Sequence, residues 1–201
     1  SIGVAMGSGT DVAKESGDMI IQDDNFETIV TAIREGRKIY DNIKRFVKFQ
    51  VSTNVGAILT IVGTSIFMLP VPFNPVQLLW INIVMDGPPA QTLGMEGSER
   101  NIMTRQPETG DILNKKVLIK IFIAGLVMAI GSIALFSYKL AIGASQKQAM
   151  TVAFTLFVMY QLFNAYNSKS NSAKKSTYLY LAIIACFILQ VLIVYIPELQ
   201  I

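Results

Sequence analysis

The chain of 201 residues is 52% hydrophobic, with a mean hydropathy of +0.47, and sets 17 Lys and Arg against 14 Asp and Glu. This places it with membrane proteins rather than soluble ones, and its net charge of +3 is small enough that where the charges lie matters more than their sum. It has no histidine and a single cysteine, which excludes His-ligated zinc, His-based acid–base catalysis and a disulfide framework within the chain.

Residues 1–23 read as a strand–turn–helix–strand piece of an α/β domain. Short apolar runs at Ile2–Met6 and Met19–Ile21 flank a Gly7-Ser8-Gly9-Thr10 turn and a short helical stretch at Asp11–Ser16. The turn lacks the Lys of a P-loop and the spacing of a dinucleotide fingerprint, so it is expected to be a tight connection rather than a phosphate cradle. A piece this short cannot bury a core, and a chain opening on Ser1 without a signal peptide reads as a cut through a longer polypeptide.

Asp24, with Glu27 three residues on, resembles a capping box and marks the start of a helix. Phe26, Ile29, Val30, Ile33, Tyr40, Ile43 and Val47 then recur at helical spacing, while Arg34, Glu35, Arg37, Lys38, Lys44 and Arg45 fill the other face. No proline interrupts the chain from Asn25 to Leu69, so residues 24–45 are expected to form a stalk continuous with the first membrane span, residues 46–69. An amphipathic helix lying on lipid is the alternative, and continuity with the span favours the stalk. In that span Ser52, Gly56, Thr60, Gly63 and Thr64 form a stripe of small residues suited to close packing. Asn54 lies off the stripe, directed either to an ion or to a neighbouring helix. Ala57, one turn on, offers no ligand.

Pro70, Pro72 and Pro75 make a stiff turn into a second span, residues 75–95, that returns beside the first. This span carries Gln77, Asn82 and Asp86 and then Gly87-Pro88-Pro89. Asn82 and Asp86 are four apart and share a helix face. A carboxylate at mid-membrane costs about 2.5–3.5 kcal/mol on insertion scales, so Asp86 is expected to face protein and a cation. Pro88 and Pro89 have no N–H for the carbonyls of Val84 and Met85, which become hard oxygen donors of the kind Ca²⁺, Mn²⁺ or Mg²⁺ prefers. Asn82 taken alone could equally be interhelical glue. A polar loop, residues 96–116, leads to a third span at 117–140, with Gly125 and Gly131 as packing points. The fourth, 148–164, carries Gln161. The fifth, 178–196, contains Cys186, read as a buried small hydrophobe, and Gln190.

Most Lys and Arg residues fall on one side of these spans, with only Lys139 and Lys147 on the other. The positive-inside rule then makes the N-terminal piece and loops 96–116 and 168–177 cytoplasmic. The fold class expected is mainly α: a polytopic membrane helix bundle of about five spans, residues 46–201, with a long cytoplasmic stalk helix and a small α/β fragment at the N-terminus. The basic segment NSKSNSAKKS accompanies no groove-reading fold, so no nucleic-acid partner is expected.

Three strings make the resemblance specific. GVAMGSGTDVAK is similar to the last segment of the phosphorylation domain of P-type cation-transporting ATPases. DDNFETIVTAIREGRKIYDNIKRFVKFQVSTNVG resembles their stalk and fifth membrane helix, and LLWINIVMDGPPAQTLGME their sixth. The resemblance covers essentially the whole chain and lies in the calcium-pump group, nearest the secretory-pathway Ca²⁺/Mn²⁺ and plasma-membrane types. It implies that the spans match helices five to nine of ten, and that Asn82, Asp86, Asn54 and Gln161 are metal ligands, with Gln77 a selectivity residue. Two-site calcium pumps carry an acid where this chain has Ala57, Thr where it has Met85 and Glu where it has Gln161. Their loss implies one ion site, while Asn82 in place of an Asp argues against a sodium–potassium pump. Mg²⁺ and ATP belong to the full-length pump, whose DKTGT and GDGxND motifs, like its fourth membrane helix, do not occur here. No catalytic or cofactor-binding residue is therefore expected in this chain. Its partners are the transported Ca²⁺ or Mn²⁺, membrane lipid and the N-terminal part of the same pump. A pump for H⁺ or Na⁺, or a non-enzymatic membrane remnant, are the rival readings.

Overall fold

In the computed structural model, described residues are 2–99, 101–106, 112–170 and 176–196; parts of the two polar loops, including Lys174 and Lys175, fall outside them. The N-terminal piece is a βαβ unit. Strands β1 (Val4–Met6) and β2 (Met19–Ile21) pair in parallel, Ala5 opposite Ile20, across the short helix α1 (Asp11–Ser16). Thr10 caps α1, so the Gly-rich segment is a βα turn. Its Gly7 approaches β2 so closely that a Cβ there would lie 2.8 Å from the Gln22 carbonyl oxygen.

Helix α2 (Phe26–Ile66) runs unbroken for 41 residues, about 60 Å at 1.5 Å per residue. Its cap departs from expectation. Asn25, not Asp24, accepts the Glu27 N–H at 2.9 Å. Asp24 adopts a left-handed conformation (φ 51°) and its carboxylate accepts the Ser8 N–H at 2.9 Å, tying the helix entry back to the β1–α1 turn. The local pattern fits either residue as cap; the contact with Ser8, sixteen positions away, decides between them.

Among the described residues four helices are long and apolar enough to cross a membrane: α2, α5 (Lys115–Ala141), α6 (Gln146–Asn167) and α7 (Thr177–Tyr195). Asn114 caps α5, and Ser145 with Gln148 closes a capping box on α6. The second span takes another form, three helical pieces in succession: α3 (Pro75–Leu79), a π-helical segment (Trp80–Met85) and α4 (Gly87–Gly94).

α5 lies along α2 and α6, α6 along α7, and α4 fits between α2 and α7. The small-residue stripe makes the first of these contacts close. A Cβ on Gly125 would stand 3.0 Å from the Gly56 backbone nitrogen and 2.8 Å from Val55 Cγ1, so the α2 and α5 backbones meet there. Gly131 in turn makes room for the Tyr160 ring of α6. Phe73, in the turn before α3, packs edge-on against Phe157 of α6 at 5.3 Å, fixing the far end of the broken span.

Candidate functional site

The site begins with the two prolines. Neither Pro88 nor Pro89 can donate to a carbonyl one turn back, so an α-helix cannot continue through Asp86. The chain widens instead. The Asp86 N–H donates to the Ile81 carbonyl five residues back, at 2.9 Å, and α4 restarts when the Ala90 N–H donates to the Asp86 carbonyl at 3.0 Å. The prolines then occupy the first turn of α4, where no intrahelical N–H is required. Asp86 thus stands at the N-terminal end of α4, where a helix favours negative charge, preceded by a π turn of a kind frequent at functional sites.

Three side chains hold the widened turn. Gln161 of α6 donates its Nε2 to Asp86 Oδ1 at 2.5 Å and lies 3.3 Å from the Ile81 carbonyl, so one amide grips both the carboxylate and the π segment. Cys186 of α7 approaches the Val84 carbonyl at 3.7 Å, the acceptor that Pro88 cannot serve. Cys186 is therefore more than apolar filling. On the α2 side, the buried Thr53 lies beside the carboxylate, its hydroxyl 3.3 Å from the Phe49 carbonyl.

Asp86 and Gln161 are both fully buried, and Asp86 Oδ2 and Gln161 Oε1 accept no hydrogen bond among the described residues. Two hard oxygens, one of them anionic, are thus desolvated with acceptor capacity to spare. A cation satisfies such a pair where another acceptor would not.

The other sequence candidates lie elsewhere. Asn82 is exposed and its Nδ2 donates to the Leu78 carbonyl of its own turn at 3.0 Å. Asn54 is exposed on α2, in line with Ile58, Val62 and Ile66 at successive four-residue steps. The structure thus brings Asp86 and Gln161 together, with Asn82 and Asn54 on outward faces of the described bundle. Gln77 closes the capping box of α3 with Asn74. Thr53 escaped the sequence reading. Its signal was its position four residues before Ala57 and four after Phe49, on the buried face of α2.

A second polar cluster joins the far end of α4 to the stalk. Arg37 donates to the carbonyls of Ile102 and Arg105, each at 2.9 Å, and Arg105 pairs with Asp41. Asn42 donates to the carbonyls of Gly94 (3.1 Å) and Glu96 (2.9 Å), while Arg45 meets Glu99 at 2.6 Å. Glu96 Oε2 accepts from the Ser170 N–H at 3.2 Å and the Ser176 hydroxyl at 2.7 Å, drawing in the loop between α6 and α7. Side chains that read as a solvated face of the stalk therefore hold the loop that leaves α4.

Comparison with known proteins places these features in context. Residues 70–201 match the family described as cation transporting ATPase, C-terminus. Over 210 residues the chain is 40% identical to human calcium-transporting ATPase type 2C member 1, covering 99% of this chain and 23% of that protein. It is 39% identical to the mouse type 2C member 2 over 211 residues, and 40% identical to calcium-transporting ATPase 1 of Yarrowia lipolytica over 212; each match covers 99% of this chain and 22% of the relative. The chain thus spans less than a quarter of the length of these relatives.

Proposed function

The chain belongs to the cation-transporting ATPases, as their C-terminal part, and on that premise we propose that it supplies ion-binding helices and a coupling stalk to an ATP-driven pump exporting Ca²⁺ or Mn²⁺ from the cytoplasm. The observation that carries this reading is the fully buried Asp86 carboxylate at a π turn, gripped on one oxygen by Gln161 and without a hydrogen-bond partner on the other among the described residues. Asp86 is the anionic ligand and Gln161 its neighbour in the ion shell. Asn82 and Asn54 are further donors, directed to the part of the pump that this chain does not contain. A single ion site follows from the buried Ala57 and Met85, which bring no side-chain oxygen to the adjacent positions.

The stalk has a physical role in this scheme. Transport requires two conformations of different ion affinity, with phosphorylation biasing their populations. A displacement of α2 would be passed to α4 through Arg37, Asn42 and Arg45, because these side chains hold the loop in which α4 ends. Mg²⁺ and ATP would act through residues outside this chain. The excess of Lys and Arg on one side of the spans supports a cytoplasmic position for the βαβ unit and for the loops after α4 and α6.

The test is phosphoenzyme formation from labelled ATP by the full-length protein across Ca²⁺, Mn²⁺, Na⁺ and K⁺. The wild type should form an acid-stable phosphoenzyme that requires Ca²⁺ or Mn²⁺, and Asp86→Asn should form none under those ions. Ordinary Ca²⁺-dependent phosphorylation of that variant would sink the ligand assignment, and a Na⁺ requirement in the wild type would sink the proposed cargo.

A further inference from the structure

Between Leu181 and Val194 helix α7 carries two polar side chains, Cys186 and Gln190, and both are buried, Gln190 to 1% exposure. Four residues apart, they share a face of the helix, and each meets the π segment. Gln190 Oε1 accepts the Trp80 indole N–H at 3.2 Å, at the first residue of the segment, and Cys186 approaches the Val84 carbonyl four residues on. α7 therefore holds the segment at two points one helical turn apart, while Gln161 of α6 holds it at Ile81 and Asp86.

The Gln190 contact has only one workable direction. An indole nitrogen can donate but not accept, so the amide oxygen must face Trp80, and the amide nitrogen needs an acceptor elsewhere. Thr155 of α6 supplies it. Its hydroxyl oxygen accepts from Gln190 Nε2 at 3.4 Å, while its own proton goes to the Thr151 carbonyl at 2.8 Å. The series Trp80, Gln190, Thr155, Thr151 thus runs donor to acceptor throughout, and the amide cannot turn round without losing the Trp80 bond. An amide inside an apolar helix is costly unless both its ends are satisfied. Here both ends are, and the result ties α6 and α7 to the start of the π segment.

That segment needs an outside hold. An α-helix is supported by its own bonds, whereas this stretch has widened to a rarer form and has lost the donor that Pro88 would have given Val84. Taking Asp86 as an ion ligand, we infer that Gln190 is a positioning residue of the ion site. Through Trp80 it fixes the π segment, and with it the Asp86 carboxylate and the Val84 carbonyl, closely enough to favour a smaller divalent cation. Selection between cations of different size turns on the size and the flexibility of the oxygen cage, and Ca²⁺ tolerates irregular geometry. The smaller Mn²⁺ needs its ligands brought closer, so a slackened segment penalises Mn²⁺ more than Ca²⁺.

Two variants of the full-length protein break the contact from its two sides. Gln190→Met keeps the length of the side chain without its amide, and Trp80→Phe keeps an aromatic ring without the N–H. Hydrogen–deuterium exchange over residues 80–86, read without ATP or a transported ion, should quicken about threefold in either, the effect of one average interhelical hydrogen bond in a membrane. In phosphoenzyme assays the Mn²⁺ concentration for half-maximal labelling should rise about threefold relative to that for Ca²⁺. The double variant should match the single ones, because all three lose the same bond. Unchanged exchange in both variants, additive effects in the double one, or a lowered unfolding midpoint with the wild-type Mn²⁺ to Ca²⁺ ratio would each overturn the proposal. A wild type labelled only with Na⁺ would sink the pump reading and the ion preference with it, while the exchange rates would still decide whether Gln190 positions the segment.

Discussion

The two ends of α4 solve the problem of buried charge in opposite ways. At its start, Asp86 is completely enclosed, contacts a neutral amide and keeps an oxygen without a hydrogen-bond partner among the described residues. At its far end, Asp41 and Glu99 meet guanidinium groups and Glu96 meets N–H and O–H donors, and the stalk arginines reach loop carbonyls as well; Asp41 Oδ2, like Asp86 Oδ2, has no hydrogen-bond partner among the described residues, but its other oxygen faces a cation. Both regions are largely closed to water, so the difference lies in their donors. A carboxylate held by a guanidinium or by two donors on one oxygen keeps a geometry, whereas one that meets only a neutral amide keeps affinity for something that comes and goes. The first suits a joint and the second a ligand site.

Asp86→Asn tests that contrast most severely. Ion-dependent phosphorylation of the full-length protein should fall to background, while thermal stability stays level or rises, because an amide of the same shape removes a desolvated charge. A variant that unfolds at markedly lower temperature would make Asp86 structural. Asp41→Ala should do the reverse. Removing Asp41 from Arg105, which keeps Glu99 at 4.0 Å, should cost about 2 kcal/mol, below the figure of about 3–5 for a wholly buried pair because the Arg105 side chain is 26% exposed. A lowered unfolding midpoint with intact ion affinity is the expected result.

The same contrast runs along α2. Gly125→Val would drive a side chain into the α2 backbone at Gly56 and should destabilise the α2–α5 pair by about 1–3 kcal/mol, read as a lower unfolding midpoint in detergent. Gly36→Ala, where an added Cβ meets nothing within 4 Å, should instead stabilise the stalk by up to about 1 kcal/mol through helix propensity. If Gly36→Ala preserves stability yet slows turnover, the stalk uses flexibility at that point. The smallest effect is expected at Asp24, whose carboxyl is held below the ordinary Asp value of about 3.9, chiefly by the Ser8 N–H. A depressed folded value means that the contact is fully present above the unfolded pKa and is lost as pH falls through the folded one. The Ser8 amide resonance should therefore shift with a midpoint below about 3.9, and a midpoint at or above that value would remove the tie.

The sequence by itself determined what depends on a few neighbouring residues. The alternation of apolar and charged positions over 26–47 specified a helix, and hydropathy located α5, α6 and α7. The Gly-Ser-Gly-Thr segment read correctly as a turn, and Asp86 stood out because a carboxylate in an apolar run ending in Pro88-Pro89 has few structural reasons to be there. These features are local, and helix periodicity or a missing N–H acts within about one turn. Tertiary structure decided everything that needs a partner from another element. It placed Gln161 on Asp86 across 75 residues, brought Thr53 to the carboxylate, left Asn82 and Asn54 facing outward and turned stalk arginines into clamps on a loop 54 to 68 residues away. Even the helix break took its π form through a specific bond from Asp86 to Ile81, held by Gln161. Two prolines dictate that an α-helix must yield at that point, and the helices packed around it dictate how.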